Sequence, residues 1–133
     1  MEFELSEEHR MLRDTMCRFV DDELIPVEME SRDGVTLKPE YREKFLARAK
    51  QLDIWKMEVP EEFGGVGADL ISLVIVWEQL GRTVALPTRG QGGIMGPQVR
   101  APLFELSDEM KERYLYPVLD GEKTACFAQT EPD

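Results

Sequence analysis

The chain has 133 residues, of which 16 are basic and 27 acidic, so its formal net charge is −11 at pH 7. This length can bury one hydrophobic core, and a composition that is 42% hydrophobic and 32% charged is typical of a folded protein and excludes a disordered one. So negative a chain is also unsuited to non-specific binding of nucleic acid or of an anionic membrane surface, and we expect neither partner.

The first predicted element is a long amphipathic helix over roughly residues 6–25. Ser6 suits an N-cap, and Glu7 and Glu8 suit the positive end of a helix dipole. Apolar residues then recur at helical spacing until Pro26 stops the pattern: Leu12, Met16, Phe19, Val20 and Leu24. One face of this helix is therefore expected in a core.

A polar connection over residues 30–40 leads into a second predicted helix. Pro39 fits its first turn, and the pattern ends near Asp53, where a glycine would make a sharper C-cap. The apolar face has a period near 3.6 residues. It consists of Tyr41, Phe45, Leu46, Ala49 and Leu52.

The next segment, MEVPEEFGGVGAD at residues 57–69, combines a proline with three glycines and excludes regular structure. Glycines at this density could cradle a phosphate. However, the segment lacks the Lys-Ser or Lys-Thr of a P-loop and the strand-then-helix context of a dinucleotide fingerprint. We therefore favour a tight turn in which glycines adopt positive φ.

Asp69 is the expected cap of a third helix, LISLVIVWEQL, which Gly81 ends. The helix is apolar on nearly every side, which is typical of a position inside a bundle or an interface. One small domain is not expected to cover it fully.

Residues 82–106 are rich in glycine and proline and predict a short or broken helix. A close backbone approach, a cavity or a flexible loop would each explain the small residues, and these readings stay open. A last helix follows Ser107, is kinked or restarted by Pro117, and closes at Gly121. A short strand then begins near Cys126. The predicted fold class is all-α, a bundle of about five helices with a C-terminal strand.

Catalytic residue sets are scarce in the sequence. His9 is the only histidine, so there is no Ser-His-Asp set, and we expect His9 to be solvated on the helix surface. Cys17 and Cys126 form no CxxC pair and no metal-ligand spacing, which predicts free thiols in a reducing compartment. The acidic N-terminus matches neither a signal nor a transit peptide, and we expect a cytoplasmic location.

Four segments, taken in order, resemble the N-terminal part of the acyl-CoA dehydrogenase family. They are LSEEHRMLRDTMCRFVDDELIP, VPEEFGGVGAD, VWEQLGR and SDEMKERYLYPVLDGEKTACFAQTEPD. The Gly-Gly turn and the closing Thr-Glu-Pro, in that order, carry most of the specificity. The resemblance implies a helical domain over residues 1–124 and, over residues 125–133, the start of a truncated β-domain.

The resemblance also implies a function in fatty acid metabolism. The family oxidises the Cα–Cβ bond of an acyl-CoA thioester to the trans-2-enoyl-CoA and passes hydride to FAD. An electron-transfer flavoprotein is the typical acceptor, and the full-length enzyme is typically a homotetramer. The catalytic glutamate belongs to the family's C-terminal domain, so no catalytic residue is assigned here and the isolated segment is expected to be inactive.

The resemblance assigns the closing strand to the flavin. The expected cofactor-binding residues are Phe127, Ala128, Gln129 and Thr130. The Thr130 hydroxyl can both donate and accept hydrogen bonds at a ring edge, although Phe127 and Thr130 could also be ordinary core and strand residues. Gln129 departs from the apolar residue usual in the family.

The glycine-rich stretch before the last helix corresponds to the family's acyl-chain pocket. Gln91 and Met95 are the expected substrate-contacting residues. The small residues around them could widen the pocket for a bulky or branched acyl group.

A different class of function is the alternative. The chain could be a stand-alone helical interaction module, or a diverged subunit whose site a partner chain completes. The apolar third helix and the closing strand fit both classes.

Overall fold

The computed structural model describes residues 4–34, 36–85, 96–97, 99 and 101–125, and the structural statements below concern those residues. Helix α1 spans Glu7–Arg18 and continues as a π-helix, Phe19–Leu24, and a 3₁₀ turn, Ile25–Val27. The Ser6 side chain accepts a hydrogen bond from the His9 amide. The long N-terminal helix and its cap are therefore confirmed.

A small hairpin interrupts the connection that the sequence left without strands. β1, Arg32–Asp33, pairs antiparallel with β2, Thr36–Leu37, with Arg32 opposite Leu37. The Thr36 hydroxyl donates to the Asp33 carbonyl at 2.9 Å and closes the turn.

The second and third helices have the predicted bounds. α2 spans Pro39–Gln51, and Asp53 then takes the left-handed conformation, with φ of 56°, that the sequence would give to a glycine. After a 3₁₀ turn, Glu61–Phe63, α3 spans Leu70–Leu80. The Asp69 carboxylate caps α3 by accepting from the Ser72 amide at 2.8 Å.

The C-terminal helices are short and contiguous. α4 spans Ala101–Phe104 and α5 spans Asp108–Met110, which continues as a π-helix, Lys111–Leu115, into α6, Tyr116–Leu119. Ser107 lies at the N-cap position of α5, where the sequence places it, but its side chain makes no capping hydrogen bond.

Both π-helical segments end two residues before a proline. Leu24 precedes Pro26, and Leu115 precedes Pro117. Proline has no amide to donate and its ring presses on the carbonyl four residues back, and a wider helical turn relieves that contact. At Pro117 this carbonyl belongs to Arg113, and it accepts from the Lys123 ammonium at 3.0 Å instead. The π-helical segment runs directly into α6 at Tyr116, so the chain stays helical through Pro117.

Helices α1 and α3 lie side by side and run in the same direction. The hydrogen bonds that join the two segments advance along both, from His9–Asp69 through Cys17–Gln79 to Asp21–Arg82. The larger core cluster lies between them and α2. It consists of Met16, Phe19, Val20, Leu24, Phe45, Ala49, Ile54, Met57, Val76, Leu80 and Ala85. A smaller cluster packs the C-terminal helices: Val59, Leu115 and Leu119, with Phe63, Val99, Leu103, Phe104 and Tyr116 around them.

The fold is mostly helical with one two-stranded sheet, so the predicted all-α class is confirmed. The expected closing strand from Cys126 onward lies outside the described residues. One face of α3 remains open to solvent, with Leu70 69%, Ile71 52% and Val74 50% exposed, so the third helix is incompletely covered, as predicted.

Candidate functional site

The six residues that the sequence assigns to the flavin and to the acyl chain all lie outside the described residues: Phe127, Ala128, Gln129, Thr130, Gln91 and Met95. The structure describes the framework that precedes Phe127 and the framework that flanks the stretch around Gln91 and Met95. Three features of that framework bear on function: the glycine-rich turn, a cavity beside it, and a set of hydrogen bonds around Trp55.

The glycine-rich turn uses its own amides. The amide of Gly64 donates to Glu61, and that of Gly65 to Pro60, at 2.9 and 3.1 Å. The amide of Gly67 donates to Val59 at 2.9 Å. Since these donors are already paired with carbonyls of the same segment, they cannot cradle a phosphate, and the tight-turn reading is confirmed.

Gly65 is required here by space. A Cβ at this position would lie 1.9 Å from the carbonyl oxygen of Val59, far closer than van der Waals contact allows. The backbone segments at Val59 and Gly65 therefore lie in direct contact, and this contact fixes the shape of the turn.

A cavity of about 390 Å³ opens between the start of α1, the end of α2 and this turn. Its apolar lining residues are Leu12, Leu52, Met57, Val66 and Ala68. Its polar lining residues are Glu8, His9, Asp53, Asp69 and Ser72. The three carboxylates are solvent-exposed, whereas Met57 is buried, so the cavity has an apolar floor and an acidic rim.

His9 forms part of this rim and links the caps of two helices. Its Nε2 lies 3.2 Å from the Asp69 carboxylate, and its Nδ1 lies 3.0 Å from the Ser6 hydroxyl. A carboxylate only accepts, so Nε2 carries the proton and, in the neutral ring, Nδ1 accepts from Ser6. The His9 side chain is only 17% exposed, so the expectation of a solvated surface histidine is wrong.

The Asp69 carboxylate is held in its ionised form. Its pKa is lowered, first by the hydrogen bond from the Ser72 amide and then by the hydrogen bond and charge of His9. A donor that bonds the charged form favours it over the protonated form.

A second polar network joins α1 to α3 further along. The Cys17 thiol donates to the Gln79 side-chain oxygen at 3.1 Å, and Arg82 donates to the same oxygen at 3.0 Å. Arg82 also donates to the Asp21 carboxylate. Gln79 is nearly buried, and these donors satisfy its oxygen, so the network aligns the two helices. Cys17 is a free thiol, as predicted.

The polar contacts between Trp55 and the end of α6 form a third feature, which we call the Trp55 latch. The buried Trp55 indole donates from Nε1 to the Leu119 carbonyl at 2.7 Å. Lys50 donates to the Asp120 carbonyl and Lys56 to the Asp120 carboxylate, each at 2.8 Å. Gly121 follows with φ of 80°, and a Cβ there would lie 3.3 Å from the Trp55 ring. The latch fixes the point where the chain leaves α6.

These contacts define a helical domain with an acidic-rimmed cavity and with a backbone that is fixed by hydrogen bonds at the end of α6. Residues 6–122 match the family model described as acyl-CoA dehydrogenase, N-terminal domain. The chain belongs to the acyl-CoA dehydrogenase family, and the resemblance found in the sequence is confirmed.

Several curated relatives match nearly the whole chain. A 3-(aryl)acrylate reductase of Clostridium sporogenes is 30% identical over 96% of this chain and 33% of that protein. A mitochondrial short-chain specific acyl-CoA dehydrogenase of Sus scrofa is 31% identical over 97% of this chain and 30% of that protein. The CarC subunit of a caffeyl-CoA reductase-Etf complex of Acetobacterium woodii is 28% identical over 96% of this chain. The chain thus spans about a third of these relatives.

A solved structure has the same fold. One chain of the structure named "Electron transferring flavoprotein of Acidaminococcus fermentans: Towards a mechanism of flavin-based electron bifurcation" superposes on this chain with a TM-score of 0.62. The match covers 91% of this chain and 31% of that one at 22% identity, which shows a shared fold.

Within the described ranges, no helix combines the length and apolar character needed to cross a bilayer. The same part of the chain contains no group of three or more His, Cys, Asp or Glu side chains placed to hold a metal ion.

Sequence reasoning missed the His9–Asp69 link and the Trp55 latch for one reason. The bonded residues are 60 and 64 positions apart, and each residue alone looks ordinary in its helix or loop. Only the acidic first turn of α1 and the Asp69 cap gave a local signal.

Proposed function

We propose that this chain is the N-terminal helical domain of an FAD-dependent acyl-CoA dehydrogenase, here called the parent protein. The observation that carries the proposal is the family match over residues 6–122, together with relatives of which the chain spans about a third. The parent oxidises the Cα–Cβ bond of an acyl-CoA to the trans-2-enoyl-CoA. The segment alone supplies no base for that reaction and is expected to be inactive.

FAD, when bound, accepts the hydride in this chemistry. On the family resemblance, Phe127, Ala128, Gln129 and Thr130 hold the flavin. The described residues contribute to this site by fixing where the chain leaves α6, shortly before residues 127–130. Gln91 and Met95 stay our candidates for contact with the acyl chain. A cytoplasmic location and a homotetrameric parent also remain proposals.

We also propose that an electron-transfer flavoprotein docks at the acidic-rimmed cavity. One relative is named as a subunit of an Etf complex, and the shared fold occurs in a structure named for an electron transferring flavoprotein, which supports this class of partner. The cavity offers accessible apolar lining at Leu12 and Val66 beside exposed carboxylates. This chemistry favours one apolar side chain flanked by cationic groups, because the charges then complement each other.

Val66 and Glu8 test the docking proposal. Val66 is 45% exposed, so Val66→Asp keeps the fold while placing a charge in the cavity lining. We expect Val66→Asp and Glu8→Lys to raise the parent's KM for the flavoprotein about tenfold, with dye-coupled turnover unchanged. Glu109→Lys, an exposed change on α5, is the matched control. Equal KM values in all three variants would place docking elsewhere.

The direction of the reaction is the second point to test, because two of the relatives carry the names of reductases. A reductase would run the same flavin chemistry toward the saturated product. Assaying the parent with both acyl-CoA and enoyl-CoA substrates separates the two. A parent that binds no flavin would instead favour the interaction-module alternative.

A further inference from the structure

We propose that the Trp55 latch is a positioning device for the flavin-binding strand of the parent protein. This inference rests on the proposed function, because it concerns where residues 127–130 meet FAD. Trp55 is not one of the expected cofactor residues or acyl-contact candidates, and we propose that it acts through the chain that leads from α6 to residues 127–130.

The latch holds two consecutive residues, Leu119 and Asp120. Trp55 holds the carbonyl of Leu119, and Lys50 holds that of Asp120. Lys56 holds the Asp120 side chain. These donors come from the end of α2 and the loop that follows it, so α6 cannot shift along its axis without breaking all three.

One of these three contacts is well protected from water. Trp55 is 5% exposed and Leu119 1%, so their hydrogen bond lies in a low-dielectric setting where its loss is costly. Gly121 then passes under the Trp55 ring in a left-handed conformation that other residues resist. The backbone direction after α6 is therefore set by Trp55 itself.

A fourth contact carries the hold nearer to the flavin-binding strand. The Lys123 ammonium donates to the Arg113 carbonyl, the acceptor that Pro117 cannot serve. Phe127 follows Lys123 by only four positions in the sequence. Four residues span at most about 14 Å when fully extended, so the latch holds the chain shortly before the expected flavin-binding strand.

The test uses the purified parent protein and measures its FAD dissociation constant and flavin absorbance spectrum. Trp55→Phe removes the Nε1 donor together with the outer indole atoms, Cζ2 and Cη2, that lie near Gly121, and it keeps an aromatic side chain at position 55. Asp120→Ala removes the exposed end of the latch, while Asp120→Asn keeps an oxygen that Lys56 can bond. Val76→Ala, in the other core cluster, is the control for a loss of stability without a change in the latch.

We expect Trp55→Phe to weaken FAD binding about tenfold and to shift the flavin spectrum, as the loss of one buried hydrogen bond allows. Asp120→Ala should weaken it less, and Asp120→Asn should restore it. Val76→Ala should leave both readouts unchanged although it lowers stability.

Two contrary results are distinguishable. If the wild-type parent binds FAD and Trp55→Phe binds it with the same affinity and spectrum, the latch has no positioning role and the proposed function stands. If the wild-type parent binds no FAD, the proposed function fails and the latch proposal fails with it.

Discussion

The region of α1, α2 and α3 and the region of α4 to α6 differ in the interactions that stabilise each of them. Eleven buried apolar residues form the first core, and the two aligned helices share the His9–Asp69 and Cys17–Gln79 bonds. The C-terminal core has three fully buried residues. Its attachment to the first region combines the apolar packing of Val59 and Phe63 with the polar contacts of the Trp55 latch.

This difference indicates how the domain divides its tasks. The larger core can hold α1 and α3 in register and so shape the cavity at their N-terminal ends. The C-terminal region buries less apolar surface, and directional hydrogen bonds fix its orientation where apolar packing alone would leave it free to slide. The proposed flavin-binding strand follows the region whose position depends most on such bonds.

The largest expected effect on stability is at the glycine-rich turn. This turn contributes to both cores, since Met57 belongs to one core and Val59 to the other. Gly65→Ala places a Cβ 1.9 Å from a backbone oxygen, and we expect a loss of at least about 3 kcal/mol in the free energy of unfolding. Chemical denaturation measures it.

Gly64→Ala is the matched control in the same turn. Gly64 has φ of 76°, but nothing lies within 4 Å of a Cβ there, so only the conformational cost of about 1–2 kcal/mol applies. Equal losses in the two variants would show that steric contact at Gly65 does not hold the turn.

The next largest effect separates the two cores. Phe45→Ala should cost about 3–5 kcal/mol and Leu115→Ala about 2–5 kcal/mol, because both side chains are fully buried. In amide hydrogen exchange, we expect Leu115→Ala to lower protection in α4 to α6 while α1 and α3 keep theirs. Uniform loss of protection in the Leu115 variant would mean that the two regions unfold as one unit.

A smaller effect is expected at the latch. Trp55→Phe leaves the buried Leu119 carbonyl without its donor and should cost about 2 kcal/mol. Lys56→Met removes an ion pair whose Asp120 partner is 57% exposed, and should cost about 0.5 kcal/mol or less. Urea titrations of both variants compare them. If Lys56→Met proved the more costly, the exposed end would be the main attachment.

The smallest effect concerns acid stability at the start of α3. The folded chain lowers the pKa of Asp69, so its ionised carboxylate adds stability above the ordinary aspartate pKa of about 3.9, and that stability is lost as the pH falls through the folded pKa. Asp69→Asn still caps α3 but cannot titrate. The variant should lose less stability on acidification than the wild type, measured as the urea midpoint at neutral and acid pH. Identical acid losses would contradict this role.

The sequence predicted the helices of the first region well, because α1, α2 and α3 each have a long apolar period and a clear start at Ser6, Pro39 or Asp69. It missed the hairpin, whose strands of two residues are too short to show alternation. It also missed the π-helical turns, since their prolines equally suit a helix end.

The candidate site was less accessible to sequence reasoning than the fold. The turn reading was correct because glycine spacing is a local signal. The environment of His9 was wrong, because a single histidine in an acidic helix gives no indication of a partner 60 residues away. The same separation hid the role of Trp55. The flavin and acyl-contact residues stay predictions.

The central claim is that this domain belongs to a flavin-dependent dehydrogenase of acyl-CoA thioesters. The most direct test is to purify the parent protein, confirm its flavin, and titrate it anaerobically with saturated acyl-CoA thioesters of different chain length and branching while following the flavin absorbance. We expect at least one acyl-CoA to bleach the flavin and to yield the matching trans-2-enoyl-CoA. A flavin-free parent, or a flavin that no saturated acyl-CoA reduces, would contradict the claim.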